Sequence, residues 1–168
     1  MDKVTRLILL NQYRILKSTN EIAESDADKA IAALSHGFPL DIQQLVDQEV
    51  WDETPAVVCV EVREILEMYR HINNSVIRLP DGAQDRVRKS HWASFGGFDG
   101  NEEGEHYTYV QYLLEDCGLW RELYEPDMSL NTHSPSLPKY RAMLSAHGDK
   151  KKHEWMGEQE IVDILSAE

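Results

Sequence analysis

The stretch that decides the fold is Pro55–Leu79, PAVVCVEVREILEMYRHINNSVIRL. Its apolar residues recur every three to four positions, and that spacing places them on one side of an α-helix. They are Val58, Val62, Ile65, Leu66, Tyr69, Ile72, Val76 and Ile77. Thr54 and Pro55 are suited to begin a helix, and Pro80 and Gly82 follow as a stop. The sequence therefore predicts one long central helix over about 55–79.

Shorter segments on both sides of this helix show the same helical spacing. We predict them over about 4–18, 26–36, 41–50, 101–117, 135–146 and 157–167. Residues 80–98 are predicted to be a long connection, and residues 119–137 a mostly irregular stretch with one short helical turn near 120–124. The run Lys150–Lys152 is predicted to be a solvated loop. Since no break in charge or composition divides the chain, we expect an all-α fold: a multihelical single domain of about six to seven helices over residues 1–168.

The first predicted helix is apolar on two sides. Val4, Leu7, Ile8, Ile15 and Leu16 line one side. Leu9, Leu10 and Tyr13 fall on another side. A helix that is apolar on two sides has to be covered on both, by its own domain or by another subunit. We therefore predict a homo-oligomer with Leu9, Leu10 and Tyr13 as its contact surface.

The chain is strongly acidic, with 30 acidic against 17 basic residues and a formal charge of −13. Such a charge repels phosphate backbones and anionic lipid heads, so membrane binding is not expected. Nucleic acid is an unlikely partner, although residues 1–20 form a weakly basic segment that keeps this alternative open. The acids concentrate between Asp99 and Asp127, where Arg121 is the one basic residue. This stretch is either a solvated face or a docking surface for a basic protein partner.

The cysteines and the apolar runs indicate the compartment. Cys59 and Cys117 are the only cysteines, and two thiols do not make a disulfide framework. The four apolar residues Leu7–Leu10 are too few for a signal-peptide core, and no run approaches the ~20 residues of a membrane span. We expect a cytoplasmic protein.

Few residues in the sequence are arranged for chemistry. Glu67 and His71 stand four positions apart on the long helix, and Trp92, Phe95 and Phe98 crowd the connection that follows it. A pocket between the two groups would be assembled from distant elements. One ExxH motif, Glu103 to His106, is present, whereas di-iron bundles need two together with further Glu residues. We therefore predict no metal, no cofactor and no assembled catalytic set.

Five segments resemble the YfbU family. They are RLILLNQYRIL (6–16), EILEMYRHINNS (64–75), GFDGNEEGEHYTYVQYLLE (97–115), KYRAMLSAH (139–147) and EQEIVDIL (158–165). The resemblance extends over nearly the whole chain. It implies a multihelical fold and a homo-oligomer, and it supplies no reaction and no catalytic residues.

Two functional hypotheses follow. The first is a non-enzymatic, self-associating helical protein that acts through protein partners. The second is an enzyme or small-ligand-binding protein whose site lies between the aromatic segment 92–98 and the long helix, near Glu67 and His71.

Overall fold

The computed structural model describes residues 1–50, 52–125, 127–148, 150 and 153–168. These residues form eight α-helices and no extended strand apart from one isolated bridge, so the all-α prediction is confirmed. The helices are α1 (Lys3–Ser18), α2 (Glu24–His36), α3 (Pro39–Glu49), α4 (Ala56–Val76), α5 (Asp81–Arg88), α6 (Gly104–Gln111), α7 (Leu137–His147) and α8 (Glu158–Ser166). No helix in the described ranges is both long and apolar enough to cross a membrane. Lys151 and Lys152, from the predicted loop, lie outside the described residues.

The chain divides into two compact units, Met1–Glu53 and Thr54–Glu168. The single domain over residues 1–168 stays a prediction. The first unit contains α1 to α3, and the second contains α4 to α8.

Helix α4 is the predicted long helix, and it forms the centre of the second unit. Its inward residues Val62, Ile65, Leu66, Met68, Tyr69 and Ile72 are fully buried. The helix begins at Ala56 because Pro55 occupies the cap position with an extended ψ of 134°. It ends at Val76 rather than Leu79, since Arg78 and Leu79 bond to carbonyls three positions back, in a tighter turn before Pro80.

Helix α5 corrects the prediction that residues 80–98 form a connection. Only Ala83 and Val87 of this short helix are buried, so its apolar pattern is too sparse to be recognised in the sequence. Asp81 in the first turn and Arg86 near the end suit the helix dipole. Arg86 also donates two hydrogen bonds to Glu158 of α8, at 2.5 and 2.8 Å. The helix therefore combines a short apolar side with an ion pair to α8.

Helix α6 is shorter than the predicted 101–117. It ends at Gln111 and continues as a wide π-helical turn over Tyr112–Asp116, in which the N–H of Cys117 donates to the carbonyl of Tyr112 at 2.9 Å. The bounds of α1, α2, α3, α7 and α8 lie within two residues of those predicted.

The aromatic segment after α5 packs into the core of the second unit. The rings of Phe95 and Phe98 are buried, and each lies 5.5 to 5.7 Å from the ring of Tyr140 on α7. Gly97 between them has φ 97°, and a Cβ there would lie 1.9 Å from the carbonyl oxygen of Leu130. This close approach lets the N–H of Phe98 donate to the Leu130 carbonyl at 2.9 Å.

A buried carboxylate joins the start of α6 to the start of α7. Glu103 accepts hydrogen bonds from the backbone N–H of Asp99 at 2.9 Å and from that of Leu137 at 2.7 Å. The hydroxyl of Ser136 also donates to it, at 3.1 Å. Because the first N–H groups of a helix lack partners within the helix, Glu103 acts as a cap for α7 from a distant part of the chain.

The first unit is a small three-helix arrangement. Its core consists of Ala33, Leu34 and Ile42, with Leu9, Leu10, Tyr13 and Leu45 packed around them. Asp2 caps α1 by accepting from the N–H groups of Val4 and Thr5, and Gly37 ends α2 with the left-handed φ of 76° that favours glycine.

Candidate functional site

Helix α1 packs on its own unit through the side that carries Leu9, Leu10 and Tyr13. These three side chains pack against the core residues of α2 and α3. The predicted contact surface for oligomer formation therefore faces the interior of the unit. The sequence pattern alone shows two apolar sides and does not show which one turns inward.

Two basic side chains fix the rotation of α1. Nζ of Lys17 lies 2.6 Å from Asp28 and 3.3 Å from Glu24 at the start of α2, and the hydrogen bond to Asp28 raises the pKa of Lys17. Arg6 lies about three turns earlier on the same side of α1. Its guanidinium covers Gly37 so closely that a Cβ on residue 37 would lie 2.1 Å from it. Lys17 thus meets the acidic start of α2, whereas Arg6 lies against Gly37 at the end of the same helix.

The opposite side of α1, which we call the outer row, is apolar and open to solvent. Val4, Leu7, Ile8 and Ile15 are 68, 53, 55 and 54 % exposed. Val4, Ile8, Asn11 and Ile15 form a line along the helix, because they follow one another at spacings of four, three and four, and Leu7 lies beside this line. No acidic residue lies within Lys3–Ser18. The outer row therefore presents aliphatic side chains without negative charge, on a chain that is acidic elsewhere.

Glu67 and His71 line a cavity of about 510 Å³ on the second unit. The other lining residues are Val60, Arg63, Glu64, His147, His153 and Glu154. Nδ1 of His71 and Nε2 of His147 lie 2.8 Å apart, so the two imidazoles share a hydrogen bond at the wall of the cavity. Sequence reasoning missed His147, which α7 brings to α4 from a distant part of the chain.

The carboxylate of Glu67 is engaged in hydrogen bonds rather than directed at open space. It accepts from Nη1 of Arg70 at 2.9 Å and from the indole Nε1 of Trp120 at 3.1 Å. The guanidinium groups of Arg63 and Arg70 lie 5.9 and 5.1 Å from the Trp120 ring. These interactions hold the segment after α6 against α4 and account for the polar groups at this end of the cavity.

The structure does not bring the five predicted pocket residues into one cavity. Phe95 and Phe98 are buried in the core, and Trp92 lines a separate cavity of about 300 Å³. The reason is helical geometry: Tyr69 faces the aromatic segment, whereas Glu67 stands two positions earlier and so points to another side of α4. Glu67 and His71 are the predicted pair that shares a cavity.

The ExxH motif also separates in the structure. Glu103 is the buried cap of α7, whereas Nε2 of His106 lies 2.9 Å from Glu61 on α4. Arg141 on α7 donates two hydrogen bonds to the same Glu61 carboxylate, and these bonds lower the pKa of Glu61. Within the described residues, no group of three His, Cys, Asp or Glu side chains is arranged to hold a metal ion.

Comparison with known proteins identifies the family. Residues 1–167 match the YfbU domain. The chain belongs to the YfbU family. It is 30 % identical to the UPF0304 protein MJECS11 of Methanocaldococcus jannaschii over 172 residues, covering 99 % of each chain. It is 28 % identical to a UPF0304 protein of Histophilus somni over 167 residues, again covering 99 % of each chain.

The YfbU match confirms the resemblance predicted from the five sequence segments. It covers both compact units. The outer row of α1 and the cavity beside His71 therefore both belong to the YfbU domain, and neither lies in a segment added to it.

Proposed function

We propose that this YfbU-family chain is a non-enzymatic helical protein that self-associates and acts through protein partners in the cytoplasm. The observation that carries the proposal is the outer row of α1, where four aliphatic side chains are more than half exposed. A contiguous apolar row costs free energy in water, and such rows commonly mark protein interfaces. The contact surface in this proposal is Val4, Leu7, Ile8 and Ile15 rather than the inward-facing Leu9, Leu10 and Tyr13.

The charge distribution supports the same surface. Two copies with a formal charge of −13 repel each other wherever their acidic faces approach. The helix that carries the outer row contains no acidic residue, so contact there avoids this repulsion. An apolar row on an acid-free helix is the arrangement that permits association of an acidic protein.

The acidic stretch supports a basic protein as a further partner. Asp99 and Glu103 are buried there, so they add little to the surface charge. The exposed acids are Glu102, Glu105, Glu115, Asp116, Glu122, Glu125 and Asp127. A partner with clustered Lys or Arg would bind them with a strong dependence on ionic strength.

A second candidate function is the binding of a small ligand in the cavity beside His71. Its volume of about 510 Å³ is in the range of ligand sites, and two imidazoles meet at its wall. The internal hydrogen bonds of Glu67 and of the two histidines count against it, because a ligand would have to compete with them. A fragment library screened by NMR against wild type and His71→Gln would test it. Ligand-induced shifts that the substitution abolishes would favour this candidate.

Self-association is tested by light scattering and sedimentation equilibrium over a wide range of protein concentrations. We expect the wild-type chain to associate and Ile8→Lys to be a monomer. Ile77→Lys is the matched control, since Ile77 is a 64 % exposed isoleucine of the second unit and Ile8 is 55 % exposed. A monomeric wild type, or equal association of both variants, would refute the proposal.

A further inference from the structure

We infer that the outer row of α1 binds the same row on a second copy of the chain, forming a helix-to-helix seam with Asn11 inside it. This inference rests on the proposed self-association and adds the identity of the partner surface. The seam residues are Val4, Ile8, Asn11 and Ile15, flanked by Leu7. Contact between identical surfaces related by a two-fold axis is the commonest way in which identical chains pair.

The spacing of the row points to another helix as its partner. Val4, Ile8, Asn11 and Ile15 are separated by four, three and four positions along α1. Alternation of three and four is the repeat that keeps a seam of side chains turned toward a second helix. β-Branched Val and Ile at three of the seam positions suit such packing.

Asn11 distinguishes this surface from a general apolar patch. Its side chain lies within the exposed row, and among the described residues the one hydrogen bond to it is a long one of 3.4 Å from Nη1 of the exposed Arg14. A single Asn in an apolar helix seam lowers the affinity but selects one register and one number of subunits. When a second helix covers the row, Asn11 therefore serves to select the register and the number of subunits.

The edges of the row agree with contact between two copies. Thr5 and Gln12 flank it on one side, and Leu7 and Arg14 on the other. The basic Arg6 and Lys17 turn toward their own unit, so α1 does not bring its whole positive charge into the seam. The surface is also large enough, since the five side chains of the row, Asn11 among them, at about 100 Å² each give about 1,000 Å² for two copies, near the lower limit of specific interfaces.

Cysteine cross-linking tests the seam directly. Cys59 and Cys117 are first replaced by Ser, and a cysteine is then introduced as Ile8→Cys or Asn11→Cys. The control is Ile77→Cys, at an exposed isoleucine outside the seam. Under mild oxidation we expect at least tenfold more cross-linked dimer from the α1 variants than from the control. Light scattering on the reduced proteins establishes in parallel whether the chain associates at all.

Substitution of Asn11 provides a second measurement. We expect Asn11→Leu to lower the dissociation constant about tenfold or more and to broaden the distribution of oligomers, because the polar residue that restricts the register is lost. Asn11→Asp should raise the dissociation constant about tenfold, since it places two negative charges in the seam.

The outcomes separate the two proposals. A monomeric wild type refutes self-association and the seam together. Association that persists with cross-linking at the control level, and with unchanged affinity of both Asn11 variants, refutes the seam and leaves self-association through another surface.

Discussion

The carboxylate of Glu61 on α4 accepts both hydrogen bonds of the Arg141 guanidinium on α7, at 2.7 Å from Nε and 2.9 Å from Nη2. Nε2 of His106 on α6 lies 2.9 Å from the same carboxylate. Glu61 therefore ties three helices of the second unit together. The hydrogen bonds from Arg141, with a smaller contribution from His106, lower the pKa of Glu61 against the opposing effect of partial burial.

We expect this arrangement to lose stability in acid. The unfolded chain protonates Glu61 near its ordinary pKa of 4.5, whereas the folded chain keeps it ionised to lower pH. Between the two pKa values the unfolded state binds more protons, so the stability contributed by Glu61 is full above 4.5 and falls as the pH drops through the folded value. Glu61→Gln should cost about 1–2 kcal/mol of unfolding free energy at neutral pH, and that cost should shrink as the pH falls below 4.5.

Urea unfolding of wild type and Glu61→Gln at several pH values measures this difference. Glu102→Gln, at an exposed position, is the control and should follow the wild type. A cost for Glu61→Gln that is the same at every pH would contradict the prediction.

Replacement of the buried Glu103 should be among the most destabilising single changes in the second unit. Glu103→Ala leaves the N–H groups of Asp99 and Leu137 without their acceptor inside the protein. We expect a loss of about 2–4 kcal/mol, the usual cost when a buried polar partner is removed. Chemical denaturation checks the value, and a loss no larger than that of Glu102→Ala would show that the cap of α7 contributes little.

Two glycines should respond in opposite directions to the same substitution. Gly97 has φ 97° and a backbone carbonyl where its Cβ would lie, so Gly97→Ala should cost about 3 kcal/mol or more. A Cβ added to Gly104, at the start of α6, would meet no atom within 4 Å, so Gly104→Ala should raise stability by about 0.5–1 kcal/mol. Thermal unfolding of both variants tests the pair, and equal shifts in Tm would contradict this account.

The sequence predicted helices wherever apolar spacing was dense. The buried face of α4 follows from its repeat of three and four, and most other helix bounds fall within two residues. Helix α5 was missed because just Ala83 and Val87 mark its inward side, and its contact with α8 is an ion pair between residues distant in sequence. Local spacing carries no information about such long-range pairing.

The candidate surface shows a different limit of sequence reasoning. Both sides of α1 are apolar, so periodicity could not decide between Leu9 and Ile8 as the outward residue. Pairing of Lys17 with Asp28 decides it, and that pairing depends on how α2 folds back on α1. Glu67 and Phe98 do not share a cavity, because Tyr69 faces the aromatic segment and Glu67, two positions earlier on α4, points to another side of the helix.

The hydroxyl of Tyr140 should make the protein sensitive to alkali. It donates to the carbonyl of Gly97 at 3.0 Å and accepts from the N–H of Gly96 at 3.3 Å, and burial raises its pKa to about 12. The unfolded chain releases this proton near 10.0, so between 10.0 and about 12 the folded state binds more protons and unfolding free energy falls as pH rises. Tyr140→Phe should cost about 1 kcal/mol at neutral pH through the lost hydrogen bonds. It should also make the alkaline decline less steep, while Tyr69, whose pKa burial raises as well, keeps contributing to that decline. Urea unfolding from neutral pH upward tests both effects, with Tyr107→Phe at the edge of the same core as the control. An alkaline slope equal in wild type and Tyr140→Phe would show that Tyr140 is not the group that keeps its proton in the folded state.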